Sequence, residues 1–180
     1  MHWPRVEGLL SLYDENATLV PQPGSAVTGA GPMREALTGF LSLAPEKTFV
    51  DTLGVVRAGD LALTRSHWGL TGKDPSGAAV VLDHYGVEIM RLQKDGAWRF
   101  LVDDPFAGDD VVVREEASTT ASGSETPGAL HQRMASLFNQ GSLEGLVGLY
   151  VDEATLVPEP GKSVSGRAEL REALALLCRA

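Results

Sequence analysis

Five polar side chains in the middle of the chain have the types and spacing that proton chemistry requires: Arg65, His67, His84, Glu88 and Asp103. A β-strand points successive side chains to opposite faces, so in the run AAVVLDHYGVEIMRL (78–92) Leu82, His84, Gly86, Glu88 and Met90 share one face. In AWRFLVDD (97–104) Leu101 and Asp103 stand opposite in parity to Phe100 and Val102. In LALTRSHWGL (61–70) Leu63, Arg65 and His67 share a face opposite Ala62, Thr64, Ser66 and Trp68. If the polar faces converge, Glu88, Asp103 or His84 can take a proton from the carbon beside a carbonyl, and Arg65 can steady the enolate oxygen. Met90 and Leu101 would line the apolar part of such a site, with Arg65 and His67 as ligand contacts.

Each residue also has a plainer reading. An Arg between two carboxylates is commonly a structural ion pair. His67 and His84 can equally belong to the outer face of a sheet, Trp68 and Trp98 to a core or interface, and Tyr13 and Tyr150 to helix packing. Neither histidine has His-x-His or His-Glu-x-x-His spacing, and the acidic group Asp103, Asp104, Asp109 and Asp110 lacks the alternate-position spacing of a calcium loop. There is no Gly-rich phosphate loop, dinucleotide fingerprint, elbow Ser or thiol pair. The expectation is a site without metal or cofactor.

The elements that would position these residues follow from period and punctuation. Between Thr48 and Pro105, four runs rich in β-branched and aromatic residues are separated by turn signals at 57–60, 72–77 and Asp95-Gly96. They predict an antiparallel meander. Ahead of it lie a short helix reaching Tyr13, a strand over 17–20 closed by Pro21-Gln22-Pro23-Gly24, and a helix over 32–43 stopped before Pro45. Helices followed by an antiparallel sheet define the α+β class.

The stretch 9–43 then returns as 146–180 with about half the positions identical and no gap, the mark of a duplicated structural unit. Domains are expected at 1–107 and 129–180, joined by a linker over 108–128 whose Ser, Thr, Gly and Glu content does not support a packed core. The second stretch opens with a helix over 129–140, carrying Leu130, Met134, Leu137 and Phe138 on one side, and has no counterpart of the meander.

Composition narrows the partners. With 43% hydrophobic residues the chain can bury a core, and a net charge of -9 argues against nucleic acid or an anionic membrane surface. No run approaches the apolar length needed to span a bilayer, and no leader pattern opens the sequence, so the cytoplasm is expected. The single cysteine, Cys178, excludes an internal disulfide.

The order of elements, with LLSLYDENATLVP, AGDLALTRSHWGLTG and DGAWRFLVDDP, resembles the nuclear transport factor 2-like superfamily, which includes ketosteroid isomerase and SnoaL-type cyclases. The resemblance covers about 6–106, and about 130–180 as a partial second copy lacking the sheet. It implies a cystatin-like cone, with helices against the concave face of a curved antiparallel sheet and a small-molecule pocket in its mouth. It also implies that Glu88, which precedes Ile89-Met90-Arg91, and Asp103 face that pocket. Arg65 resembles the pocket Arg of kinase-hub members. The isomerase's base falls where Gln22 stands here and Glu159 in the second copy, and its oxyanion Tyr falls on Met134. Only Glu88 retains its chemistry. The expectation is a small-molecule-binding domain for an apolar or carbonyl-bearing ligand. The alternatives are an isomerase, dehydratase or cyclase, and an oligomerisation domain. A homo-oligomer, with possible exchange of 129–180, completes it.

Overall fold

A computed structural model describes residues 6–108 and 126–178. Two units emerge, Met1–Arg114 and Glu115–Ala180. The first opens with α1 (Val6–Leu10), β1 (Tyr13–Gln22), β2 (Ser25–Thr28) and α2 (Ala30–Ser42). Four long strands follow: β3 (Lys47–Ala58), β4 (Leu61–Lys73), β5 (Ala79–Leu92) and β6 (Trp98–Asp104). The fold is α+β, a curved six-stranded sheet in the order β2-β1-β6-β5-β4-β3, open at both edges.

Turn chemistry sets the register that matters for the site. Asp74 accepts from the amides of Ser76 and Ala78, which centres the β4–β5 hairpin and brings Thr64 opposite Glu88 and Trp68 opposite His84. Asp95 accepts from the amide of Ala97, and Gly96 takes the positive φ of 83° that an L side chain resists. That turn sets Glu88 opposite Asp103, with the register shifting between Ile89 and Met90. The β1–β6 pairing is parallel and places Leu19 beside Asp103.

Tyr13 opens β1 instead of closing the first helix, and the strand predicted over 17–20 extends through Tyr13–Gln22. The local helix pattern ends at Leu10 because the edge of β6 gives the following residues a ladder to join; the Phe100 amide donates to the Leu12 carbonyl at 2.9 Å. Ala17 and Leu19 of β1 and Met33 and Leu37 of α2 form the buried centre, with Val6, Leu9 and Leu10 of α1 packed on it.

In the second unit, α3 (Pro127–Asn139) begins inside the stretch expected as linker. Thr126 caps it by accepting from the Ala129 amide, with Pro127 at the first helical position, where its missing N–H costs nothing. The rest of the expected linker lies outside the described residues. Then come α4 (Leu143–Val147), β7 (Thr155–Glu159), β8 (Lys162–Ser165) and α5 (Arg167–Leu177). Leu146, Val147, Leu170 and Leu174 are its buried cluster. No described helix is long and apolar enough to cross a membrane.

Candidate functional site

The inner face of the sheet, turned toward α2, carries an acidic pair with three hydroxyls. Glu88 is 7% exposed, and both its oxygens are engaged: Thr64 Oγ1 donates to Oε2 at 2.5 Å, and Ser66 Oγ donates to Oε1. Room for that carboxylate comes from Gly86. A Cβ there would lie 2.8 Å from Glu88 Oε1 and 2.9 Å from Ser66 Oγ, so any larger residue would displace the cluster. Beside it, the Tyr13 hydroxyl donates to Asp103 Oδ2 at 2.5 Å, a length typical of a charge-assisted O–H···O bond.

Burial acts on the Tyr13–Asp103 pair. Burial pushes Asp103 up to about 6, against the lowering effect of the Tyr13 hydrogen bond and with the charges of Glu88 and Asp104 adding to the rise. Tyr13 is raised well above the usual phenol range, first by burial and then by the Asp103 charge it faces. Asp103 therefore changes protonation near neutral pH, whereas Glu88 has no oxygen without a donor already on it.

An aromatic group continues the face away from the acids. The rings of His84 and Phe106 lie 4.9 Å apart, and those of His84 and Trp68 5.5 Å apart. Phe40 of α2 meets Trp68 edge-on at 6.4 Å, and Trp68 Nε1 donates to the Pro105 carbonyl at 2.7 Å. Met90 pairs with Phe100, whose ring lies 5.3 Å from that of Tyr13.

Of the residues singled out in the sequence, His84, Glu88, Met90 and Asp103 share this face. Leu101 is half-buried at the β5–β6 register shift. Arg65 and His67 do not join them. They pair with Val87 and Tyr85, so both stand on the outer face, and the expected convergence of Arg65 with the two carboxylates does not occur. Strand alternation grouped Arg65 with His67 correctly but does not say which group turns inward; the hairpin register decides it for Thr64 and Ser66. Glu159 of the second unit is exposed and tied to Lys162 at 2.7 Å. Tyr13, Thr64 and Ser66 were missed as site residues. Counting outward from the Asp74 to Gly77 turn pairs Thr64 with Glu88, a signal present in the sequence. Tyr13 reaches Asp103 across a parallel pairing, which no local turn announces. Among the described residues no group of three or more His, Cys, Asp or Glu is arranged to hold a metal ion.

The curved sheet with helices gives an α+β fold, and the family is shown directly. Residues 4–101 match the SnoaL-like domain family, and the chain belongs to it. No curated protein matches the chain. Among solved structures, it is similar to a ketosteroid isomerase-like protein from Erwinia carotovora atroseptica, with 18% identity, 54% of this chain and 77% of that one covered, and a TM-score of 0.48. A conserved protein from Planctomyces limnophilus gives 19%, 54%, 77% and 0.47. A protein of unknown function from Mycobacterium tuberculosis gives 23%, 54%, 57% and 0.46.

Proposed function

We propose that the first unit binds a small apolar or carbonyl-bearing molecule on the inner face of its sheet, with Asp103 as the group that exchanges a proton with the ligand. The observation that carries this reading is the buried Tyr13–Asp103 hydrogen bond beside a Glu88 whose two oxygens are already occupied. A carboxyl that titrates near 6 can donate to a carbonyl oxygen when protonated and accept from an enol when ionised. His84 and Met90 supply lining, with Phe100 beside Met90, and Thr64, Ser66 and Tyr13 hold the acids in place; Leu101, at the register shift, is left out of the lining. Arg65 and His67 are left out of the site because their strand parity turns them outward.

The same pair supports a second reading, an isomerase, dehydratase or cyclase acting next to a carbonyl, since a raised carboxyl in a desolvated place is what such proton transfer uses. Two measurements separate the readings. Binding of 2-naphthol, an enol-like probe, is expected to change with pH around 6 in the wild type and to lose that dependence in Asp103→Asn. Proton exchange beside the carbonyl of a 2-naphthyl ketone in D2O, followed by NMR, is expected only if turnover occurs. If Asp103→Asn binds the naphthol with the wild-type pH profile, or the wild type does not bind it, the proposal fails.

A further inference from the structure

The second unit repeats the part of the first that seats β6, and it leaves that seat open. At a constant offset along the chain, Ala154, Leu156, Val157 and Leu177 stand where Ala17, Leu19, Val20 and Phe40 stand in the first unit. With β6 alongside, Ala17, Leu19 and Val20 are 0%, 2% and 8% exposed. Ala154 and Leu156 are only half-buried, and Val157 and Leu177 are each 44% exposed. A recess of about 610 Å³ lies beside them, with Pro158, Val164, Ala173, Leu176 and Leu177 on its apolar side. The recess at the matching place in the first unit, against Pro21, Ala36, Phe40 and Leu43, is less than half that size, about 280 Å³.

The polar features of the seat are kept as well. Tyr150 occupies the place of Tyr13, whose hydroxyl donates to Asp103 of β6, and among the described residues it has no acceptor. β7 pairs with β8 in the register that β1 has with β2, so the edge turned outward is the one that β1 gives to β6. An open edge presents a row of N–H and C=O groups to any extended chain that fits it. Pro158 does not close it. Its counterpart Pro21 lies beyond Leu19, the last residue of β1 in register with β6, so the missing N–H falls outside the paired stretch.

We propose that the free edge of β7 takes an extended segment of another polypeptide in parallel, one that carries an aromatic residue and, three positions on, a carboxylate for the Tyr150 hydroxyl. In strand addition the main chain supplies affinity and the side-chain pattern supplies the choice of partner. The first unit displays the pattern: Phe100 stands opposite Tyr13, with the two rings 5.3 Å apart, and Asp103 stands opposite Leu19. A second copy of this chain is not the donor, because its β6 already has β1 on one edge and β5 on the other. Nor does β7 displace β1 from that place. Asp14 ties β1 down by accepting from Gln93 and Arg91, and Val151, which matches Asp14, has no side-chain group that can accept.

The test uses the full chain and a fluorescein-labelled peptide, AWRFLVDD, the sequence of 97–104. Fluorescence polarisation is expected to show saturable binding, and hydrogen exchange to show new protection of the amides of 155–157 with the six-stranded sheet unchanged. The peptide carrying Phe100→Ala is expected to bind about tenfold more weakly, through loss of the buried ring. The peptide carrying Asp103→Asn is expected to lose about threefold or more, and Tyr150→Phe in the protein to weaken the parent peptide alike. Combining those last two changes is expected to cost no more than either alone, which a general loss of folding would not produce. The proposal is overturned if the parent peptide does not bind, if a scrambled peptide of the same composition binds equally, if the protection falls elsewhere, or if the two losses simply add. Protection of 155–157 that grows with protein concentration in the absence of peptide would make a second copy the occupant, and overturns it too.

Discussion

The repeated stretch folds alike in both units and is used differently. β1 with β2 and β7 with β8 share one register: Leu19 pairs with Val27 as Leu156 does with Val164, and Gln22 with Ser25 as Glu159 does with Lys162. A cross-strand hydroxyl pair recurs as well, Thr18 with Thr28 at 2.8 Å and Thr155 with Ser165 at 2.9 Å. What differs is the other edge. β1 is ten residues long and pairs with β6, whereas β7 is five residues long and, among the described residues, pairs only with β8. Val20 is accordingly 8% exposed and its counterpart Val157 is 44% exposed. Local sequence is therefore enough to shape the strand, turn and helix, and the meander is what turns that shape into a site.

Asp14 and Val151 show the divergence at one position. Asp14 is 7% exposed and accepts from Gln93 at 2.8 Å and, at 3.4 Å, from Arg91, groups that only the meander provides. The Asn16 amide and the Gln93 side chain hold its carboxyl below the usual range. Val151 stands at the equivalent place and is 71% exposed.

The largest expected effect tests whether the units stand separately. Leu174 is fully buried in the second unit, and Leu37, its counterpart in the first, is 6% exposed. Truncating either to Ala removes about 2–5 kcal/mol, through lost burial and the cavity left behind. Hydrogen exchange is expected to show Leu174→Ala releasing amides of 127–178 while the strands of the first unit keep their protection. Leu37→Ala is expected to do the reverse. Loss of protection across both units in either variant would mean that the comparison joins what it should separate.

A second effect belongs to the first unit alone. Asp103 titrates at about 6 in the folded chain, above the roughly 3.9 of an unfolded Asp. Between those values the folded state holds a proton that the unfolded state has released. Stability is therefore greatest below pH 4 as far as this group is concerned, and falls as the pH rises through 6, by on the order of 2 kcal/mol. Urea midpoints at pH 4 and 7 should carry that slope in the wild type and lose it in Asp103→Asn. Among the described residues no carboxyl is hydrogen-bonded to Tyr150, so the unfolding of the second unit should lack the contribution.

Much of the fold was legible because its determinants are local. Alternation and the turns at Gly59-Asp60, Asp74 to Gly77 and Asp95-Gly96 gave the four long strands nearly to their ends, and Gly29 and Gly166 fall where the helices begin. The site was legible only in part. His84, Glu88, Met90 and Asp103 could be grouped by period two and by the family resemblance, since they lie on strands joined by a short turn. The inward face of β4 could not be read from alternation alone, because Leu63 and Ala62 are equally plausible core residues and the deciding fact is a pairing 24 residues away. Tyr13 was harder still. Its partner lies 90 residues further along, in a parallel pairing that depends on the whole sheet having formed.

Tyr13 and Tyr150 give the smallest and sharpest contrast, since the same residue at the same point of the repeat has two different surroundings. Tyr13 donates to a buried carboxyl. Removing its hydroxyl leaves Asp103 without that donor, at a cost of about 1–3 kcal/mol. Because the hydrogen bond lowers the Asp103 pKa, its loss should also move the Asp103 titration upward, as carbon-13 NMR of the carboxyl can follow. Tyr150 packs at the margin of the Leu146, Leu170 and Leu174 cluster, and burial alone raises its pKa. Tyr150→Phe is then expected to change stability by less than about 0.5 kcal/mol, since the ring that does the packing is kept. Equal costs for the two variants would show that Tyr150 has an acceptor as important to it as Asp103 is to Tyr13. The meander would then not be what separates the two copies.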